Sequence, residues 1–376
     1  MSMYNNSHER VAGMLECRMP KDRSDIPFYP QLITWAGKVA GVTQAAMIKD
    51  YRLFLNAIKT TCDKFGYPDV TINAPLGDII FGEGLPARYP GKELPEDAQF
   101  QFVETQNIDD DDYDFILKKG WNAWYTKYLG RIQNPQIGTV KTIVKLITLG
   151  KHVGKMQEFV SNLGMEPISG MTLYPLFDLL SLIRSFEVFI MDLYDRPDMI
   201  KEILEKNTPD LIASNIKNAK SLKIKRMHLY AMRSDANVLS PDLFDEFSYP
   251  YLKQMILGFR DAGYGTILHC DSNWIPMLDR FMDLPKASVH FEFDGKTDLF
   301  KAAEILDGWH SFRGDVGAYM LSYGTPDEVR EYSEKLIEEI GMKTPGFMFG
   351  TGCEVPLSTK PECYKAMCDA ILECRK

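Results

Sequence analysis

The stretch LSPDLFDEFSYPYLKQMILGFRDAGYGTILHCDSN, residues 239–273, decides the fold. Residues 239–263 have the apolar spacing of a helix. Ser240 suits its N-cap, Pro241 its first turn and Gly263 its C-terminal stop. A short apolar strand, GTILHC (265–270), follows and ends in Asp271, Ser272 and Asn273. The same unit recurs on both sides. IKRMHLYAM (224–232) is strand-like. NWIPMLDRFMDLP (273–285) is helical, SVHFEFDG (288–295) a strand and DLFKAAEILDG (298–308) a helix. HSFRGDVG (310–317) is a strand, TPDEVREYSEKLIEEIG (325–341) a helix, GFMFGTG (346–352) the last strand, and a closing helix starts near Lys360. Consecutive strand–helix units with short links predict a parallel sheet, and strands without clean alternation predict burial on both faces. No Gly-x-Gly-x-x-Gly turn follows a strand, which disfavours a dinucleotide-binding sheet. The predicted fold is therefore α/β, a (β/α)8 TIM barrel occupying residues 1–376 as one domain.

Earlier in the chain, residues 1–25 read as an N-terminal helical extension with Val11, Met14 and Leu15 on one side. IPFYPQLITWAG (26–37) reads as the first strand leading into a loop. Residues 38–65 are helical in spacing, and PDVTINAP (68–75) is a second strand. The segment 82–115, rich in Gly, Pro and acidic residues, reads as an insertion with short strands such as AQFQFVET (98–105). Its run Asp109–Asp112 reads as a solvated loop or helix start rather than a metal site.

Composition narrows the function. A formal charge of -9 disfavours nucleic acid as the default partner. Seven cysteines, an odd number without a Cys-x-x-Cys pair, do not form a secreted disulfide framework. The N-terminus lacks an apolar signal core and no apolar run is long enough to span a membrane. The economical reading is cytoplasmic.

In a barrel, functional side chains gather where strands end. The strand ends here supply Asp235, His269, Asp271, Asn273, Glu292, Asp294, Arg313, Asp315, Cys353 and Glu354. His269 and Asp271, two apart, face one side of an extended strand. With Cys353 they make a zinc set that leaves a position open; alternatively the first two are a hydrogen-bonded pair and Cys353 a packed thiol. Cys270 points away. Asp235 is an acid, a base or an anchor, or else a turn residue before Ser240. Arg313 and Asp315 either take part in chemistry or form a bridge with each other. His228 and His290, inside strands, read as core. Phe28, Trp35 and Tyr319 are candidates to wall a substrate pocket.

Residues 239–273 resemble the uroporphyrinogen decarboxylase superfamily, whose SPxxFxxFxxPYxK helix precedes a strand ending in L-H-x-x-x-N. GDVGAYMLSYGTPDEVREYSEKLIEEIG (314–341) is similar to its glycine–aspartate turn and GTPEEV helix, and GTGCEVPLSTKPECYKAM (350–367) to its closing segment. The likeness covers most of 171–371. It implies either a decarboxylase or a corrinoid-dependent methyltransferase. The decarboxylases' arginine-rich motif corresponds here to PFYPQLITWAGKVAG (27–41), which has no arginine to grip carboxylates. In the thiol methyltransferases, zinc sits on His-x-Cys and a distant Cys. Here His269 and Cys353 match, but Asp271 stands at the middle cysteine, giving a harder metal site. The resemblance thus implies the methyltransferase component of bacterial O-demethylases. Such a protein takes methyl from a methyl ether, often an aryl one, and gives it to Co(I) on a corrinoid protein partner. Zinc at His269, Asp271 and Cys353 is implied, with Asp235, Glu292 and Asp315 as acid or supporting groups and Asn273 as a substrate contact. A methylcorrinoid-to-thiol methyltransferase of the coenzyme M type is the alternative, and a decarboxylase a more distant one. The resemblance also leaves room for a homodimer.

Overall fold

The computed structural model describes residues 3–72, 86–132, 138–169 and 171–375. Five strands match the five consecutive strand–helix units: β7 (Arg226–Ala231), β8 (Gly265–Cys270), β9 (Val289–Phe293), β10 (Ser311–Val316) and β11 (Phe347–Glu354). With β1 (Phe28–Gln31) and β6 (Thr172–Leu173) they form one parallel sheet in the order β1-β11-β10-β9-β8-β7-β6. β2 (Val70–Thr71) pairs with β5 (Glu166–Pro167), which shortly precedes β6 in the chain. The amide of Asp69 donates to the carbonyl of Phe28 at 2.9 Å and so joins β2 to β1. The sheet thus curls into a barrel with helices outside, as the α/β reading predicts.

Helix ends follow local chemistry. Ser240 accepts from the amide of Leu243, and Thr325 with Glu328 forms a reciprocal capping box. Asp109 caps the helix Asp110–Lys119, so the acidic run is a helix start. Several boundaries differ from expectation. Residues 239–263 form two helices, Pro241–Phe247 and Tyr249–Asp261, with Ser248 between them. Residues 275–283 are a 3₁₀ helix. The first strand stops at Gln31, and Thr34–Ala40 is a helix, because the amide and hydroxyl of Thr34 bond the carboxylate of Glu354 at the end of β11. Residues 38–65 split into three helices at Gly41 and Asp50. In the insertion, an antiparallel pair, β3 (Ala87–Arg88) and β4 (Gln101–Phe102), replaces the longer strand expected over 98–105; residues 82–85 of the insertion and 73–75 of the second strand lie outside the described residues.

Register sets the barrel's interior. Residues paired across parallel strands share a face, and the faces alternate along each strand. Tyr230, His269, Glu292, Arg313 and Met348 form one row; His228, Ile267, His290 and Ser311 form the row beneath. The alternate residues Leu229, Leu268, Phe291 and Phe312 face the helices and are buried apolar core. Among the described residues no helix is long and apolar enough to cross a membrane.

The barrel's opposite end is closed by ions. Asp69 accepts from the amide of Phe28 at 2.8 Å, from Arg10 at 2.6 Å and from Arg375 at 2.8 Å, so one buried carboxylate ties β1, β2, the N-terminal helix and the C-terminus together. Removing one partner of a buried pair leaves uncompensated charge. Asp69→Ala is expected to destabilise the protein by about 3 kcal/mol. Asp69→Asn, which keeps an acceptor, should lose less. Denaturant unfolding checks this, and a loss below about 0.5 kcal/mol for Asp69→Ala, the ordinary range of a surface change, would contradict the clamp.

Candidate active site

Glu292 sits at the centre of the inner rows with no solvent exposure. Its Oε2 lies 2.9 Å from His228 Nε2 and 3.1 Å from His269 Nδ1. Arg313 Nε is 3.5 Å from its Oε1. Burial works to raise the Glu292 carboxyl, but the Arg313 charge and the two imidazoles outweigh burial and hold it well below the usual range. It is a fixed anion inside the barrel. Burial pushes His228 down.

His269 uses its two nitrogens for different tasks. Nδ1 faces Glu292. Nε2 faces the mouth, 3.4 Å from Asp271 Oδ1 and 3.9 Å from Cys353 Sγ. Burial works to lower its pKa, yet Asp271 above all, with Cys353 and Glu292, holds it well above the ordinary value. The metal-free ring is therefore a proton holder. The ligand atoms of His269, Asp271 and Cys353 lie within 4.8 Å of one another. Nitrogen, oxygen and sulfur donors around one point fit zinc. A carboxylate on the far ring nitrogen is the usual support of a metal-binding histidine, fixing its tautomer. A second trio, His228, His269 and Glu292, is equally close. It fits a cation poorly, because both ring N–H groups are spent on Glu292 and the Arg313 guanidinium already adjoins that carboxylate.

The loops after β7 and β8 complete the mouth. The amide of Asn237 donates to Asp235 Oδ1 at 2.8 Å, the turn arrangement foreseen as one alternative, and the Asn237 side chain bonds Ser272. Burial raises the Asp235 carboxyl, a Ser272 contact lowers it, and nearby Asp271 raises it further. Asp294 accepts from the amide of Ser272 at 2.8 Å and is raised by burial first and by Asp271 as well. Asn273 Oδ1 accepts from the amide of Ile275 at 3.2 Å, which makes it a loop-shaping residue.

Other candidates lie elsewhere. Asp315 does not bridge to Arg313; it accepts from the Tyr332 hydroxyl at 2.6 Å on the helix Pro326–Leu336. Burial, with Asp294 and Asp298, pushes it up to about 7. Trp35 is packed against Phe65 and Tyr364 between helices, its indole N–H donating to Thr359 O, so it does not line the mouth. Phe28 stacks on Phe349 on the outer face of the sheet, because the inward position of β1 belongs to the next residue, Tyr29. Tyr319 is 77% exposed beside Tyr323 on the short helix after β10. Cys270 is buried outward, as foreseen.

Residues not singled out as functional join the site. His228 is part of the Glu292 cluster rather than inert core, and Tyr230 lies 4.8 Å from the His269 ring. Asp178 is fully buried and accepts from the amide of Arg233 and the hydroxyl of Ser234, fixing the loop that carries Asp235. A signal for the cluster existed: His228/Tyr230, His269/Asp271, His290/Glu292 and Arg313/Asp315 repeat a two-residue polar spacing in four successive strands.

Known proteins share this architecture. A methyltransferase from Methanosarcina mazei superposes with a TM-score of 0.71 over 98% of both chains; at 15% identity this is a likeness of fold. A uroporphyrinogen decarboxylase from Chlorobaculum parvum (strain DSM 263 / NCIMB 8327) is 25% identical over 187 residues, 48% of this chain and 51% of that protein, so the chain spans about half the length of that relative. The profile of the family described as uroporphyrinogen decarboxylase (URO-D) matches residues 136–374, well over half of the chain and including all five of the regular strand–helix units. The protein belongs to the uroporphyrinogen decarboxylase (URO-D) family.

Proposed function

We propose that this protein is a methyltransferase that removes the methyl group of a methyl ether, foremost an aryl methyl ether, and passes it to the Co(I) corrinoid of a partner protein. The observation that carries this reading is the two-sided use of His269: Glu292 at Nδ1, Asp271 and Cys353 at Nε2. The fold shared with a Methanosarcina methyltransferase is in keeping with it. Zinc held by His269, Asp271 and Cys353 would supply a Lewis acid for the oxygen that departs as an anion. Asp271 in place of a thiolate makes the donor set harder, which suits oxygen better than sulfur. The chain's own residues do the rest. Glu292 keeps the ring of His269 turned to the mouth. Asp235, whose carboxyl is raised first by burial, stands in the loop after β7, and a carboxyl raised in this way is suited to returning a proton to a leaving oxygen. The seven cysteines are all free thiols, in keeping with the reducing surroundings that Co(I) needs and with the cytoplasm.

The Chlorobaculum relative favours a second reading, decarboxylation of a carboxylate-rich tetrapyrrole. The cations beside the mouth argue against it. Arg313 is wholly buried against Glu292 and Tyr29, and Arg233 is paired with Glu104 at 2.6 Å. Neither is open to substrate carboxylates.

Turnover decides among these readings. The protein is mixed with cob(I)alamin and a panel of methyl ethers, methylcobalamin is followed by absorbance, and metal is measured on the same sample. Methylcobalamin should form with about one zinc per chain, and both should vanish in His269→Ala. Consumption of methylcobalamin by a thiol without any ether turnover would instead make the protein a thiol methyltransferase, and loss of CO2 from uroporphyrinogen would make it a decarboxylase.

Asp315 yields a pH prediction. An aspartate in an unfolded chain loses its proton near 4, whereas folding holds this one up to about 7. The folded state thus binds the extra proton between these values. Stability from this group is complete below about pH 4 and is lost as pH rises through about 7. Asp315→Asn, which still accepts from Tyr332, should remove roughly 4 kcal/mol of that decline. Parallel declines in wild type and variant, measured by denaturant unfolding from pH 4 to 8, would count against a protonated Asp315.

A further inference from the structure

Tyr29 occupies the inward position of β1 with no solvent exposure. Its ring lies 4.5 Å from the guanidinium carbon of Arg313, which also donates weakly to the carbonyl of Tyr29 at 3.5 Å. Arg313 in turn adjoins Glu292, the group that orients His269. The phenol is therefore held on the same rigid chain of contacts as the metal-ligand candidates. Yet among the described residues its hydroxyl has no hydrogen-bond partner. Buried tyrosine hydroxyls nearly always have one, and leaving one unmade costs stability. Glu292 Oε1 and Arg313 Nε, further along this chain, have each other as ion-pair partners at 3.5 Å, so the phenol is the member left unpaired. A buried hydroxyl left without an acceptor on this chain of contacts marks a place prepared for an acceptor from outside the protein.

Resting on the reading above, we propose that Tyr29 recognises the ether oxygen of the methyl donor and donates a hydrogen bond to it as the carbon–oxygen bond breaks. The methyl carbon bonds to the cobalt of the partner's corrinoid, the bonding pair stays on oxygen, and Tyr29 keeps its proton throughout. A neutral donor is what the surroundings enforce: burial first, then Glu292 and Cys353, push the phenol well above its ordinary pKa. Tyr29 pairs in register with Gly350, three residues before Cys353 on β11, so it stands on the strand beside the mouth. Preorganised donors of this kind act on charge as it develops.

The test is Tyr29→Phe, which keeps the ring on Arg313 and removes only the hydroxyl. Its melting temperature should equal or exceed that of wild type, and its zinc content should match. The rate constant for methyl transfer should fall by about tenfold or more, with the larger loss for alkyl ethers, whose oxygen departs with more charge. Calorimetry should show phenol, the simplest demethylated product, binding at least about tenfold more weakly, the loss of roughly one hydrogen bond. A lower melting temperature with unchanged transfer and phenol binding would make the hydroxyl structural and overturn the inference, leaving the methyltransferase reading intact. Wild type that binds phenol through Tyr29 but demethylates nothing would overturn that reading and keep Tyr29 as an oxygen-binding residue. Wild type that neither binds phenol nor demethylates would overturn both.

Discussion

A carboxylate buried without solvent at the centre of a barrel is a severe constraint. Taking such a charge out of water costs several kcal/mol even after relaxation. Glu292 is tolerated because Arg313, His228 and His269 converge on it. These partners come from the strands on either side of β9 and from β7 beyond, so the register of four strands is tied to one side chain. A one-residue slip in any of them would turn a partner outward and leave the charge alone. The same network gives direction, since an imidazole engaged at one nitrogen presents the other along a fixed line.

From that line the rest of the mouth follows. Asp271 lies two residues beyond His269, and Cys353 arrives from the last strand beside Glu354, whose carboxylate is bonded by Thr34. Loops after β7 and β8 are joined to each other through Asn237 and Ser272 and anchored by Asp178. The two ends of the barrel spend their charges differently. At one end, Asp69 and Glu166 are saturated by Arg10, Arg375 and Arg226 and only hold the fold. At the other, Asp235, Asp294 and Asp315 are crowded and raised. Carboxyls that are paired at one end and crowded and raised at the other are the pattern expected where stability is given up for chemistry.

Much of this was legible in the sequence. The regular units from β7 to β11 are legible nearly to their ends, because Ser240, Asp298 and Thr325 cap their helices and each strand is a short apolar run. The first strand was overextended, because nothing local says that Glu354, more than three hundred residues away, will start a helix at Thr34. The 3₁₀ turn at 275–283 and the break at Ser248 depend on packing against neighbours and left little local mark. For the candidate site, strand ends and resemblance single out His269, Asp271, Glu292 and Cys353, and the structure brings these side chains together. Phe28 and Trp35 were misplaced because aromatic character does not reveal which face a residue takes; one step along β1 separates outward Phe28 from inward Tyr29. His228 reads as core from the sequence because its partner, Glu292, lies two strands away.

The central claim is that the buried carboxylate of Glu292 sets the ring of His269 and so makes a zinc site at the mouth. Zinc affinity of Glu292→Gln beside wild type, with the fold checked by circular dichroism, tests it most directly. The account predicts roughly ten- to hundredfold weaker binding in a folded variant, the usual loss when the group supporting a ligand histidine is removed. A folded variant that binds zinc as tightly as wild type would contradict it.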